Sequence, residues 1–305
     1  MKTNFLQEKG QLNPPLNIPN EKPLFDQNNR PQPGAEDRDR WRIEDSDYTY
    51  LRNAILDLLS IDLAHYRTRQ MERRLTTYLA HSGYSSWMGY VQLLYKRPEK
   101  LQAFLKFLTI NVSSFYRDGD KWDYLTRSVL PDLLHKTSPQ GIQAWSIGCS
   151  MGAEPYTLAM LLNDFAPERR HQIRASDIDS TVLEQARNAG PYSPNALREM
   201  PQELIEKYLV ASGKNQFRVH TNIRNFVTFE QFDLLQNSTT RLYDLVLCRN
   251  LVIYFPTSVK ECVFMRLAQT VKPGGILFIG STETITHYRH YGFNYLAPSF
   301  YQRTA

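Results

Sequence analysis

Cysteine is scarce in this 305-residue chain, which carries only Cys149, Cys248 and Cys262. An odd count without paired metal spacing supports neither a disulfide framework nor a zinc site, so reduced and mostly buried thiols are expected and no metal is. Long apolar runs are also missing. No stretch approaches the ~18–20 uninterrupted apolar residues of a membrane span, and the first ten residues, with Glu8 and Lys9 among them, hold no apolar leader core. A cytoplasmic protein without membrane insertion is expected. Charge is not strongly one-sided either: 36 Lys and Arg against 31 Asp and Glu give a formal +5. That balance favours an acidic partner but is common among ordinary enzymes. No recognisable RNA-binding module or aromatic-basic repeat accompanies it, so nucleic acid is not an expected partner.

What is present is enough apolar side chain, 42% of residues, for one large domain and a small one. Residues 1–44 stand apart, with six prolines, many Asn and Gln, balanced charge and no apolar period. Such a composition cannot bury enough surface to offset the entropy of ordering, and a disordered tail is expected there. From Tyr48 onward apolar residues recur at helical spacing: Leu51, Ile55 and Leu58, then Met71, Leu75 and Leu79, then Tyr90, Leu93 and Leu94, then Leu101, Phe104 and Leu105. Breaks at Ser82-Gly83 and Arg97-Pro98 divide them into three or four short helices, predicting an all-α domain over residues 45–107.

Residues 108–305 change rhythm. Strands are expected at 143–147, 173–176, 227–232, 242–248 and 276–280, with the last ones inside 293–302, and helices at 154–165 and 179–189. This alternation predicts an α/β domain with a parallel sheet and crossover helices. Residues 190–225 interrupt it. They are too many for a loop and contain a helix-like stretch, 201–209, and a strand-like stretch, 217–221, which predicts an inserted subdomain.

Four segments carry chemistry. Residues 148–156, Gly-Cys-Ser-Met-Gly-Ala-Glu-Pro-Tyr, follow the first strand and open a helix. Gly148 and Gly152 let backbone pass close to a ligand, and the helix start offers free N–H groups; a tight structural turn is the plain alternative. The spacing lacks the early glycine pair of the dinucleotide fingerprint, which disfavours a nicotinamide cofactor. Asp177 ends the second strand, where open α/β sheets place the acceptor for ribose hydroxyls, and Asp179 or Ser180 can cap the following helix and leave Asp177 free. Together these two features point to an adenosine ligand. Residues 248–255, Cys-Arg-Asn-Leu-Val-Ile-Tyr-Phe, follow a very apolar strand, so Arg249 and Asn250 meet cofactor or substrate in the crevice, whereas Phe255 fits a core position better. Residues 111–117, Asn-Val-Ser-Ser-Phe-Tyr-Arg, end in Arg117, a forked donor suited to gripping a carboxylate or, alternatively, to a surface ion pair.

In this order the four segments resemble the chemotaxis receptor glutamate O-methyltransferases, the CheR family. Its patterns run Asn-x-Thr-x-Phe-Phe-Arg, Gly-Cys-Ser-Thr-Gly-Glu-Glu-Pro-Tyr-Ser, Ala-Ser-Asp-Ile-Asp and Cys-Arg-Asn-x-x-Ile-Tyr-Phe. The resemblance covers about residues 48–302. It implies a Rossmann-like class I S-adenosylmethionine (SAM) methyltransferase domain with an inserted small β-subdomain, preceded by an all-α domain. It also implies SAM as cofactor, S-adenosylhomocysteine (SAH) as product and esterification of glutamates in the cytoplasmic helical domain of chemoreceptors. Carried over by motif position, the cofactor contacts are Asn111, Ser113, Arg117, Gly148, Glu154, Asp177, Asp233, Leu234, Arg249 and Asn250; Arg117 and Tyr254 are the catalytic candidates. Ser113 departs from the family threonine but keeps its hydroxyl. Met151 and Ala153 replace threonine and the first glutamate of the glycine loop, and Asp233 stands where asparagine is frequent. The resemblance further implies that the helical domain faces an acidic receptor helix pair; Arg67, Arg69, Arg73 and Arg74, clustered on one expected helix, form either a docking surface for it or an ordinary solvated basic face. A monomer is expected. Two rivals stand beside this reading: a SAM-dependent methyltransferase of another acceptor, and a non-catalytic SAM-binding signalling module.

Overall fold

The computed structural model describes residues 45–59, 61–66, 68–108, 113–137 and 141–304. The tail expected at residues 1–44 lies outside the described residues, as do Arg67 and Asn111.

Four helices form the first part: α1 (Asp45–Leu59), α2 (Thr68–Ser82), α3 (Trp87–Lys96) and α4 (Pro98–Leu108), with a single 3₁₀ turn, Leu63–His65, between the first two. The punctuation is local chemistry. Asp62 accepts from the Ala64 N–H at 2.9 Å, Ser86 caps α3 by accepting from the Gly89 N–H at 3.4 Å, and Gly83, at φ +78°, lets the chain leave α2 in a left-handed step. Pro98 opens α4, where a missing N–H costs nothing. The residues at helical spacing converge: Leu51, Ile55, Leu75, Tyr90, Val91 and Phe104 are buried together. Ile178, from the second part of the chain, packs against the same core and joins the two parts.

Between them, α5 (Gly119–Tyr124) runs through a π-turn, Leu125–Val129, into α6 (Leu130–Lys136). Sequence reading passed over this helix, although Trp122, Leu125, Val129 and Leu133 are buried at a helical spacing.

The second part alternates. In chain order it comprises β1 (Gln143–Ile147), α7 (Ala153–Phe165), β2 (Gln172–Asp177) and α8 (Ser180–Arg187). Next come α9 (Gln202–Tyr208), β3 (Leu209–Ala211), β4 (Phe217–Val219) and α10 (Thr221–Arg224), followed by β5 (Val227–Gln231), β6 (Tyr243–Cys248), α11 (Thr257–Thr270), β7 (Val271–Ile279), β8 (Phe293–Ala297) and β9 (Phe300–Arg303). Seven strands make one sheet in the order β5-β2-β1-β6-β7-β9-β8. From β5 to β7 every pairing is parallel; β9 lies antiparallel to β7, and β8 antiparallel to β9. The inserted residues form their own pair, β3 with β4, antiparallel.

Period-two burial builds three layers. Along β6 and β7, Leu245, Leu247, Ile276 and Phe278 join one core with Trp122 and Leu158, whereas Val246, Cys248, Leu277 and Ile279 join another with Val263 and Leu267 of α11. Each such buried aliphatic or aromatic side chain contributes about 1.5–3 kcal/mol relative to exposure, and all of β6 and residues 275–279 of β7 are buried on both faces. Cys149 and Cys248 are buried and Cys262 is exposed. The sheet order turns round at β1 and β6: the chain steps outward from β1 to β2 and β5 on one side, and from β6 to β7 on the other. Strand ends at such a reversal leave a crevice, and the site lies there.

Candidate active site

The crevice is lined at its floor by Gly148, Ser150 and Glu154 after β1, Asp177 and Ile178 after β2, Phe232 to Leu235 after β5, and Arg249 to Leu251 with Tyr254 and Phe255 after β6. Ser113, Ser114 and Arg117 enter from the connecting segment, and Tyr66, Met71, Arg74 and Leu108 from the helical part. Every sequence-predicted site residue except Asn111, which is not described, therefore meets in one cavity.

Backbone hydrogen bonds shape the floor. The Gly148 and Cys149 N–H groups both donate to the Ser176 carbonyl, at 2.8 and 3.0 Å, so the chain folds back over the end of β2. That turn needs φ +70° at Gly148. Gly152 is left-handed as well, at φ +90°, and is also required by packing: a Cβ there would lie 3.0 Å from Ala186 Cβ and 3.2 Å from the Phe229 and Tyr156 rings. Asp177 is buried, and its carboxylate accepts the Ser150 N–H at 2.8 Å and the Asp179 N–H at 3.0 Å. Burial pushes its pKa up against the pull of those donors. Asp179 caps α8 by accepting from the Thr181 N–H at 2.9 Å, the division of labour that sequence spacing allowed. Asp233 is half-buried; its carboxylate accepts the Leu235 N–H at 2.7 Å and its own N–H donates to Asn237 Oδ1 at 2.8 Å, which pins buried Leu234 to the wall.

Glu154 and Arg249 form the polar centre. The Ser146 hydroxyl donates to Glu154 Oε1 at 2.6 Å, and Arg249 Nη1 lies 3.6 Å from Oε2. Burial raises the Glu154 pKa, with Arg249 the largest opposing influence. The Arg249 side chain is only 2% exposed. Its guanidinium sits 4.6 Å from the Phe278 ring centroid and 5.2 Å from that of Trp122, and donates to the Arg117 carbonyl at 2.7 Å and Asp118 Oδ2 at 2.9 Å. It lines the cavity and at the same time ties the connecting segment to the sheet.

Tyr254 closes a 3₁₀ turn, Val252–Tyr254, directly after Asn250, whose φ of 58° turns the chain sharply at the end of β6. Burial raises the Tyr254 pKa, while Arg74 and Arg117 pull it down, so both cations lie within electrostatic reach of the hydroxyl. Arg74 corrects the sequence expectation. Arg73 is exposed, but Arg74 faces inward: its guanidinium lies 4.8 Å over the Phe107 ring, donates to the Phe107 and Leu108 carbonyls and lines the cavity. Of the other two members of that cluster, Arg67 and the side chain of Arg69 lie outside the described residues. Sequence reasoning also missed Tyr66, whose ring meets Phe255 edge-on at 5.7 Å, and Ile178 and Phe232. Only helix-face bookkeeping across α2 would have signalled Arg74; Tyr66, in the short connection after the 3₁₀ turn, carries no local pattern.

The carboxylates of Asp177, buried, and Glu154, largely buried, the Arg249 Nε and Ser150 hydroxyl, both without a hydrogen-bond partner, and apolar walls from Ile147, Ile178, Phe232 and Leu251 suit a ligand that is flat and apolar in one part and carries hydroxyls, a cation and a carboxylate in others. S-adenosylmethionine has each of those parts.

A family model described as CheR methyltransferase, SAM binding domain, matches residues 111–296, and one described as CheR methyltransferase, all-alpha domain, matches residues 46–109. A chemotaxis protein methyltransferase of Listeria monocytogenes is 32% identical over 260 residues, covering 85% of this chain and 98% of its own length. One from Escherichia coli is 30% identical over 259 residues, covering 82% and 88%. Among solved structures, magnesium protoporphyrin IX methyltransferase from Synechocystis, with bound SAM, aligns over 58% of this chain and 74% of its own, at 18% identity and a TM-score of 0.31.

Proposed function

Because this chain belongs to the CheR methyltransferase family and is a SAM-dependent methyltransferase, we propose that it esterifies glutamate side chains in the cytoplasmic helical domain of chemoreceptors, forming glutamate 5-O-methyl esters. In this reading it acts in the cytoplasm as a monomer, with an all-α domain at residues 45–107, a catalytic domain at 108–305 and an inserted subdomain at about 190–225. No helix among the described residues is long and apolar enough to cross a membrane.

When bound, SAM supplies an electrophilic methyl on a sulfonium. Asp177 would accept from its ribose, Asp233 and Leu234 would meet its adenine, and Gly148, Glu154, Arg249 and Asn250, together with Asn111, Ser113 and Arg117, would hold its amino-acid end. A glutamate side chain, with an ordinary pKa of about 4.3, is already an anion at neutral pH, so the site needs no general base. Its work is alignment of one carboxylate oxygen with the methyl, which in favourable intramolecular systems supplies on the order of 7–11 kcal/mol. Arg117 and the Tyr254 hydroxyl orient that carboxylate. Their grip has to be moderate, because strong pairing would stabilise the ground-state anion that loses its charge in the reaction.

The observation that carries this reading is the arrangement of the cavity: Tyr254, with Arg74 and Arg117 in reach, shares it with the buried Asp177 and the largely buried Glu154. The test is transfer of labelled methyl from SAM to a cytoplasmic chemoreceptor fragment, with base-labile release of methanol as the mark of a carboxyl ester. Transfer that is retained when receptor glutamates are replaced by alanine, or binding of SAM with no transfer, rejects the glutamate assignment.

A further inference from the structure

Glu283 belongs to none of the four motif segments and does not line the cavity, yet it is a buried carboxylate, only 6% exposed. Its two oxygens are both engaged by backbone. Oε2 accepts the Gly280 N–H at 2.7 Å and the Asn250 N–H at 2.9 Å, and Oε1 accepts the Ile253 N–H at 3.2 Å. Gly280 follows the end of β7; Asn250 and Ile253 belong to the turn that ends at Tyr254. The contact is close enough to dictate glycine at 280, since a Cβ there would fall 2.7 Å from Glu283 Oε2 and 2.8 Å from the Asn250 nitrogen.

Consider what this turn would do alone. Asn250 sits at φ 58°, a backbone state that non-glycine residues adopt sparingly, and the next hydrogen bonds in the turn are long, with the Tyr254 N–H reaching the Leu251 carbonyl at 3.3 Å. A carboxylate buried without donors is costly, and the donors here are the N–H groups of this turn and of the neighbouring strand end. The demand of the charge and the strain of the turn are thus satisfied by the same hydrogen bonds, and the turn is held in one conformation.

We propose that Glu283 is a positioning residue for methyl transfer: its carboxylate clamps the 250–254 turn to the end of β7 and thereby sets the Tyr254 hydroxyl against the incoming acceptor. The inference rests on the acceptor-orienting role proposed above for Tyr254, through which Glu283 acts. Glutamine at 283 has nearly the same shape but presents an NH₂ group to one of the two sets of N–H donors, so part of the clamp becomes a repulsion. Aspartate keeps the charge and shortens the reach by one methylene.

The experiment is a double-mutant cycle with the full chain, SAM and a cytoplasmic chemoreceptor fragment, measuring kcat and the KM for the fragment, with calorimetric SAH affinity as the check that the cofactor pocket is formed. Glu283→Gln and, as the milder change, Glu283→Asp are each expected to lower kcat by roughly 10- to 100-fold, the scale of an ångström-sized misplacement, with SAH affinity retained. In a Tyr254→Phe background the same substitutions should lower kcat no further. A wild-type kcat in both Glu283 variants, an equal loss in both backgrounds, or loss of SAH affinity in step with kcat each overturns the inference while leaving Tyr254 in place. If instead Tyr254→Phe turns over like the wild type, the role of Tyr254 fails and the inference falls with it.

Discussion

The floor of the cavity and its roof are held by different kinds of bond. At the floor, residues after β1 are fixed through their backbone N–H groups to the end of β2: Gly148 and Cys149 to the Ser176 carbonyl, Ser150 to the Asp177 carboxylate. At the roof, Tyr66 and Arg74 are held by their side chains, one ring edge-on to Phe255, the other guanidinium resting on Phe107 and two carbonyls. A backbone-built wall keeps its shape as long as the sheet exists. A side-chain-built wall depends on the packing of two separate cores. This contrast suits a methyltransferase that holds one cofactor at the floor and, in the function proposed above, admits a glutamate side chain under the roof.

The largest effect should come from breaking the floor. Asp177→Ala removes an acceptor for the ribose and also releases the Ser150 and Asp179 N–H groups, two hydrogen bonds to a charged group, so SAH binding should weaken on the order of 100-fold or more. Titration calorimetry reads this directly, and affinity within a few-fold of wild type, about the worth of one exposed contact, would show that the cofactor is held elsewhere. Next in size is Tyr254→Phe, at the boundary between floor and roof. It should lower kcat about 10- to 100-fold while leaving SAH affinity unchanged; the reverse pattern, affinity lost and turnover kept, would make Tyr254 a cofactor contact.

The roof itself is sharpened by separating two adjacent arginines. Arg74→Ala should lower kcat and destabilise the contact between α2 and the end of α4, since it removes a half-buried side chain with two carbonyl partners, whereas Arg73→Glu should raise the KM for the receptor fragment a few-fold and leave kcat and SAH affinity alone, as a rim charge does. Equal behaviour of the two variants would mean that α2 faces the receptor as a single basic surface.

The smallest effect is electrostatic. Burial raises the pKa values of Glu154 and Asp177 in the folded chain. Between the ordinary carboxylate pKa and those raised values the folded state therefore holds more protons than the unfolded state, and its stability falls as pH rises through that window. In Asp177→Asn the contribution of residue 177 to this fall disappears, so the melting temperature of the variant relative to wild type should rise as pH increases from about 4 toward neutrality. SAH affinity of the wild type should move the opposite way, increasing with pH as the carboxylates ionise. A difference in melting temperature independent of pH would show that Asp177 keeps an ordinary pKa.

Much of this was legible along the chain because it depends on near neighbours. Helix period and breaks at Gly83 and Pro98 placed the four helices; apolar runs placed β1, β2 and β6; and glycine at 148 with carboxylates at 154 and 177 marked a strand-end ligand loop, since a tight turn, a helix start and a strand end are each made within a few residues. Bounds slipped where local pattern is weak: the insert strand ends at Val219 where the sequence suggested residue 221, β7 begins at Val271 where it suggested residue 276, and α11 was not anticipated. What only the tertiary structure decided are the pairings between distant segments. Nothing local distinguishes Arg73 from Arg74; the 100° step between them on α2 sends one to solvent and the other into the cavity once α2 has packed on its neighbours. Glu283 reads as an ordinary loop glutamate until the end of β7 is laid beside the 250–254 turn, and Arg249 as a free cation until Trp122 and Phe278 close on it. Local hydrogen bonding and period are properties of a segment, whereas burial of a charge is a property of whatever arrives around it.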